Sequence, residues 1–335
     1  MTKPIFHPLA RALAAAAVVV LATGAQAETV LKLSHQFPGG KGDVRDEMVQ
    51  MMARDVAAAN VDMVIKIFPG SSLVKPQEQW KAMLTGQIDM ASFPLDYASG
   101  FHPQFGATLM PGLVKSHAHA RRMNDSAFMK DIKAVIEQGG VKVLADAWLA
   151  GAFASKDQCI RKPDDAKGLK VRSAGATFSQ MWAGAGASVV SIPSSEVYNA
   201  LQQGVISATD TSTGSFVSFR LYEQVKCITA PGDNGLWFMY EPVLISMKSW
   251  NKLNDAQKKA LTTASKKAED YFEGESKKMD DKMVETFKAN KVEVVTMSEA
   301  DADAWRAVAQ TTSYKNFAEK VPGGKDLIEK ALSVK

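Results

Sequence analysis

Only two cysteines, Cys159 and Cys227, occur in 335 residues. Two isolated thiols supply too few ligands for a zinc site. In an oxidising compartment an even count permits one disulfide, and a Cys159–Cys227 bridge is the expected pairing. Separate buried thiols, behaving as small apolar side chains, are the alternative. Charge of one sign is also missing: 40 basic residues face 36 acidic ones, a net charge of +4. Interspersed in this way, the charges leave no footprint for nucleic acid or an anionic membrane. The longest apolar run, Ala12–Ala22, is about eleven residues, well short of the ~20 that span a bilayer. No Gly-x-Ser-x-Gly elbow and no His-Glu-x-x-His occurs, and Gly184-Ala185-Gly186 lacks the third glycine of a dinucleotide fingerprint. His117-x-His119 offers two metal nitrogens without a further ligand nearby, so a surface helix is expected there and no metal site. No serine or thiol has a base placed beside it locally. A triad drawn from distant segments stays open.

The first 27 residues carry the pattern of a secretory signal. Lys3, His7 and Arg11 make a positive start, Ala12–Ala22 the apolar core, and Ala25-Gln26-Ala27 a small-x-small cleavage site before Glu28. The expectation is a periplasmic protein beginning at Glu28. Without Lys3 and Arg11 it would have 38 basic against 36 acidic residues. The remaining length is enough for two ordinary domains. ATP and NAD are not supplied in that compartment, so no cofactor is expected.

From Thr29 the pattern alternates strand and helix. Strands are expected around Val30–Leu33, over Met63–Phe68 up to Pro69-Gly70, and over Ile88–Phe93, with helices over 43–59 and 77–85. Further strands are read at Val141–Leu144, Leu169–Arg172 and Ser188–Ser191. Strands spaced by single helices point to parallel βαβ units, an α/β fold. An echo supports two related halves. Glu78-x-Trp80-x-Ala82-Met83-x-x-Gly86-x-Ile88 matches Glu196-x-Tyr198-x-Ala200-Leu201-x-x-Gly204-x-Ile206 at a constant offset. Each copy reads as an amphipathic helix closed by glycine, then a short strand and a tip: Phe93-Pro94-Leu95-Asp96-Tyr97 or Thr209-Asp210-Thr211-Ser212-Thr213. Ligands of open α/β sheets sit beyond strand carboxyl ends, so both tips are expected on one cleft. Asn254 caps a long helix over 255–289. At ~1.5 Å per residue it would extend about 50 Å, more than one small domain. A strand over Val292–Val295 and a helix from Ser298 to about Ala318 end the pattern.

The chemical signal is Lys167-Gly168-Leu169-Lys170-Val171-Arg172. A strand ends there in a planar cation, followed by Ser173-Ala174-Gly175-Ala176-Thr177 and a helix start. A guanidinium beside free helix N–H groups is suited to a bidentate carboxylate.

From about Val30 to Ala318 the chain resembles the solute-binding proteins of TRAP (tripartite ATP-independent periplasmic) transporters. The resemblance rests on Phe68-Pro69-Gly70-Ser71-Ser72-Leu73, on Lys167-Gly168-Leu169-Lys170-Val171-Arg172, and on Ser195-Glu196-Val197-Tyr198-Asn199-Ala200-Leu201-Gln202-Gln203-Gly204. It implies a two-lobed flytrap braced by one long helix, with Arg172 as the carboxylate clamp and delivery of an organic acid to a membrane permease. The expected lobes are 28–149 plus about 237–276, and 150–236 plus about 277–335. Where many members have Asp-Gly-Gln-Glu-Asn-Pro, this chain has Ser207-Ala208-Thr209-Asp210-Thr211-Ser212, with Thr211 where a ligand-binding Asn often stands. The arginine that sugar-acid binders carry in the Gly151–Ser155 segment is missing. Trp148, Phe153, Trp237, Phe238 and Tyr240 then point to an apolar pocket for a monocarboxylate with an aromatic or branched body. Gln36, Phe93, Asp96 and Tyr97 are the expected contacts from the first lobe. Asp210 and Glu241 are candidates to hold a cation beside the solute or to bond its hydroxyls. The chain is expected to act as a monomer. A binding protein of an ABC importer or a sensor is the alternative, and a secreted hydrolase the reading from another class.

Overall fold

In the computed structural model, which describes residues 1–2 and 28–335, two sheets are each covered by helices. The expected signal segment falls almost wholly on residues 3–27, outside the described ones. Among the described residues no helix is long and apolar enough to cross a membrane.

Strands β1 (Thr29–Ser34), β2 (Met63–Phe68) and β3 (Met90–Ser92) run parallel, and β4 (Val141–Ala145) completes the first sheet. The second sheet is built on β5 (Trp148–Ser155), β6 (Lys170–Ser173), β7 (Ser188–Ser191), β8 (Ala208–Ser212) and β9 (Cys227–Ala230). β10 (Phe238–Tyr240) pairs with β5 in this sheet, whereas β11 (Val243–Ser246) lies between β3 and β4 in the first. β12 (Glu293–Thr296) closes the edge beside β9. In β1 the side chains of Leu31 and Leu33 are buried while Lys32 between them is not, the period-2 pattern of a strand with one face inward.

The chain therefore passes between sheets at Asp146–Ala147 and returns at Glu241–Pro242. The two passages are bonded to each other, the Glu241 N–H donating to the Ala147 carbonyl at 2.8 Å. A third link is the helix Asp255–Ala289, capped reciprocally by Asn254 and Gln257. Its buried residues Leu261, Ala264, Ala268 and Phe272 join the core under the first sheet, and Met283 and Phe287 join the core under the second. One helix thus contributes to two cores. The final helix, Gly324–Leu332, packs back on helix Ala127–Gln138 of the first sheet's segment, with Lys330 paired to Asp131 at 2.6 Å.

The sequence echo has a physical counterpart. Helices Gln79–Thr85 and Val197–Gln202 are each preceded by a 3₁₀ turn and followed by a left-handed glycine, Gly86 or Gly204, at φ 80° and 71°. L-residues with a Cβ are disfavoured in that region, so glycine is the residue suited to turn the chain into the next strand. Gln87 and Ile88 both donate to the Ala82 carbonyl, at 2.9 and 3.3 Å. Val205 and Ile206 both donate to the Ala200 carbonyl at the same two distances.

Cys159 and Cys227 form a disulfide, with Cα atoms 5.1 Å apart and a sequence separation of 68. Closing a loop of that size restricts the unfolded chain by about 4 kcal/mol in the chain-entropy model. Two elements differ from the sequence reading. The expected strand through Phe93 is confined to Met90–Ser92, because Pro94 leads into a 3₁₀ turn. The helix expected from Ser298 to Ala318 is interrupted by a π-helical stretch, Gln310–Tyr314. There Ser313 donates to the Thr177 carbonyl and Tyr314 to the Pro111 carbonyl.

Candidate functional site

Four strand ends converge between the sheets: those of β1 and β3 from the first, and of β6 and β8 from the second. Arg172, on β6, is fully buried. Its Nε donates to the Ile192 carbonyl at 2.8 Å and one terminal nitrogen to the Asp210 carbonyl at 2.7 Å. The other terminal nitrogen reaches across to the Tyr97 hydroxyl at 3.2 Å. That hydroxyl also accepts from the Ser194 N–H at 3.0 Å, and Gln36 lies 3.5 Å from it. Tyr97 and Gln36 follow strands of the first sheet, whereas Arg172 and Ser194 belong to the second. One phenol oxygen therefore joins the two halves at the guanidinium.

Two buried carboxyl groups stand near this cation in unlike surroundings. Asp210 receives four donors: Ser173 Oγ at 2.8 Å, Trp182 Nε1 at 2.7 Å, the Ala174 N–H at 3.1 Å and Trp237 Nε1 at 3.2 Å. Burial pushes its carboxyl up, while Arg172 and these donors oppose that push. Asp96 has a single long partner, Ser99 Oγ at 3.3 Å. Burial raises its pKa to about 7; Ser99 and Arg172 pull it down and the Asp210 charge pushes it up. Asp96 also lies against the opposite half, since a Cβ on Gly175 would fall 1.4 Å from its Oδ2. Only glycine fits there.

The expected aromatic pocket residues have separate placements. Phe153 packs edge-on to Trp182 and Trp305, with centroids 4.7 and 5.8 Å away, inside the core of the second sheet. Trp148 and Tyr240 pack at a tilt at the passage between sheets, with centroids 5.0 Å apart. Trp148 donates there to Asn124 Oδ1, and the Tyr240 hydroxyl bonds Asp146. Trp237 braces Asp210 and packs flat on Gly151. Phe93 is buried against Trp80 and Tyr97. Thr211 is buried on β8 opposite Ala152. The surface helix read for His117 and His119 is only half right. His117 pairs with Asp280 at 2.7 Å, but His119 is buried, its Nδ1 accepting from the Lys115 N–H.

Sequence reasoning missed a second buried cation. Arg45 donates twice to Asp43, at 2.9 and 2.8 Å, and through its remaining nitrogen to Ser212 Oγ, Ser215 Oγ and Glu241 Oε2 at 3.1, 3.0 and 3.2 Å. The Phe37 ring lies 3.7 Å from its guanidinium carbon. For Asp43, burial alone would raise the pKa; the Arg45 charge and bonds outweigh it and hold the group low. Glu241 is pushed up by burial against the pull of Arg45. The only local signal was an Asp–x–Arg at a helix start, which also fits an exposed cap. Among the described residues the one group with metal-ligand spacing is Cys159, Cys227 and Glu293, whose thiols are joined in the disulfide. No histidine ring among the described residues hydrogen-bonds a serine, threonine or cysteine side chain.

Two sheets joined by paired passages and a shared helix, with a buried cation where their strand ends meet, define a two-lobed solute-binding protein. Residues 39–320 match the model for bacterial extracellular solute-binding protein, family 7, and the chain belongs to that family, the solute-binding proteins of TRAP transporters. It is 36% identical over 299 residues to a solute-binding protein of Albidiferax ferrireducens, covering 88% of each chain. A TRAP periplasmic solute-binding protein from Rhodoferax ferrireducens with bound malonate superposes with a TM-score of 0.88 at 35% identity, over 91% of this chain and 98% of that one. One from Sulfurospirillum deleyianum with bound succinate is similar in fold, with a TM-score of 0.83 at 24% identity over 92% and 100%.

Proposed function

We propose that this protein captures an organic acid in the periplasm, between its two lobes, and hands it to a TRAP permease. The observation that carries this reading is Arg172: a buried guanidinium at a strand tip, touched by both lobes, with N–H groups beyond those used on Ile192, Asp210 and Tyr97. A carboxylate is the partner such a fork accepts. The relatives with bound malonate and succinate support the same class. Micromolar affinity requires about −8 kcal/mol, of which one charge-assisted bond supplies ~1.5–3 kcal/mol. Further contacts and apolar burial must supply the rest. An apolar monocarboxylate remains the finer reading, resting on the absence of a second arginine from Gly151–Ser155. The aromatic residues that first prompted it mostly serve the core and the passage between lobes. Asp210, with all four donors directed at it, is best read as a strut for β6 and β8, not as a cation ligand.

Thermal shift with a panel of malonate, succinate, isovalerate and phenylacetate tests the class. Arg172→Ala is expected to abolish the ligand-induced shift. Because Arg172 also holds two backbone carbonyls, the variant's ligand-free melting point should fall as well, so the shift itself is the readout. A shift preserved in Arg172→Ala would sink the clamp.

A further inference from the structure

We propose that Asp96 takes up a proton when a carboxylate binds at Arg172, so that solute capture is linked to protonation at neutral pH. The inference rests on the carboxylate reading of Arg172 and deepens it.

The argument begins with charge. Around the clamp lie one buried cation, Arg172, and two buried carboxyl groups, Asp210 and Asp96, while Glu241, a third buried carboxyl that also feels Arg172, is paired with Arg45. Ionised together the first three already carry one negative charge in excess, and a bound carboxylate adds another. Burying unpaired charge is costly enough that a titratable group gives way before the site does. Which group gives way follows from its hydrogen bonds. Asp210 is held by four donors, including two indole N–H groups that can do nothing but donate. Protonating it would break at least one of those bonds. Asp96 has only Ser99 Oγ at 3.3 Å and faces the Cα of Gly175, the N-cap of helix Ala176–Gly184; that helix start favours its ionised form but donates no hydrogen bond to it. Gly106, where a Cβ would lie 3.9 Å from Asp96 Oδ1, brings no charge. Arg172 is the sole cation whose field lowers it, and the arriving ligand neutralises that field. Two carboxyls with environments this different divide the roles of ion and acid.

Before ligand arrives, Asp96 titrates at about 7. The ligand's charge raises it further. Below that pH the group already holds its proton and binding takes up none. Through the neutral and mildly alkaline range binding draws a proton from solution, and affinity falls as pH rises, by at most tenfold per pH unit. Asp96 then presents an O–H to the cleft, a donor to the solute where an ionised side chain would repel it.

The test is isothermal titration calorimetry of the intact protein at pH 5.5, 7.0 and 8.0, in buffers of different ionisation enthalpy. The ligand is whichever of malonate, succinate, isovalerate and phenylacetate shifts the melting temperature most. Expected is a buffer-dependent heat at pH 7.0 and 8.0 corresponding to roughly half a proton or more, and little at pH 5.5 once the acid's own titration is subtracted. That subtraction comes from Asp96→Asn, an uncharged isostere, which should bind with no proton uptake at pH 7.0 or 8.0 and with a flatter pH profile. Proton uptake equal in wild type and Asp96→Asn, or none in wild type at pH 7.0 and 8.0, overturns the inference while leaving the clamp intact. Should Asp96→Asn not fold, Asp96→Ser, smaller and equally uncharged, takes its place in the same comparison. Should no acid on the panel bind, the carboxylate reading falls and this inference with it.

Discussion

At the scale of single residues, the chemistry is set by how many donors each buried charge receives. Arg45 and Arg172 are both fully buried, yet Arg45 is saturated by Asp43, Ser212, Ser215 and Glu241 whereas Arg172 is shared between backbone carbonyls, one phenol and the Asp210 carboxylate, which stands 3.8 Å away, beyond hydrogen-bond reach. A saturated cation organises structure, and an unsaturated one can accept a ligand. Asp96 also leaves a mark on stability that needs no ligand. Its folded pKa of about 7 lies above that of an unfolded aspartate, so the folded state binds the extra proton between the two values. Stability is then lost as pH rises from about 4 towards 7. Asp96→Asn is therefore expected to melt higher than wild type at pH 8 and to converge with it below pH 4, as followed by circular dichroism. A variant melting lower at both pH values would show that Asp96 is held ionised by contacts other than those described.

Asp43 works in the opposite sense. Its pKa is held low, so its contribution is present above the ordinary carboxylate range and is lost as pH falls through the depressed value. The partners of the two buried residues that did stand out could not be read from sequence. Arg172 stood out because it ends a strand inside a recognisable motif, but its partners lie 20 residues and more away in the chain. Asp210 looked like a ligand-facing acid, and only the positions of Trp182 and Trp237 reveal it as the acceptor for two indoles.

Among the elements, local patterns that do not depend on distant partners were legible. The long helix occupies 255–289 as its cap and composition imply, and the strand at Met63–Phe68 stops at Pro69-Gly70. The echoed helices end at their glycines. Strands β10 and β11 were not legible, because both are short apolar stretches and nothing local says that one joins each sheet. The π-helical stretch at Gln310–Tyr314 was hidden for a similar reason, since it accompanies bonds to Thr177 and Pro111 rather than any breaker in its own sequence.

Within the long helix, Gly274 sits between Phe272, in the core of the first lobe, and the turns that carry Met283 and Phe287 into the second. A Cβ there meets nothing within 4 Å. Gly274→Ala should therefore stabilise the protein by about 0.5–1 kcal/mol, measured by urea denaturation, since glycine in a helix interior costs roughly that much. A destabilised variant would mean that the helix bends at this point in a way a side chain obstructs.

For the whole molecule, the two lobes are one chain folded twice on the same plan and tied by two strand passages, the long helix and the final helix. The repeat, the matched carbonyls of Ala82 and Ala200, and the facing strand ends together place Arg172 between halves instead of within either. Two of the ties are the strand passages at Asp146–Ala147 and Glu241–Pro242, bonded side by side. A strap of two hydrogen-bonded strands flexes easily out of its own plane and resists shear within it. The expected motion of the mouth is a swing about this strap, described by a single coordinate. One pair of spin labels, one on each lobe, should suffice to follow it: adding a carboxylate is expected to narrow that distance distribution towards one short value, and a second pair placed elsewhere should report nothing independent of the first.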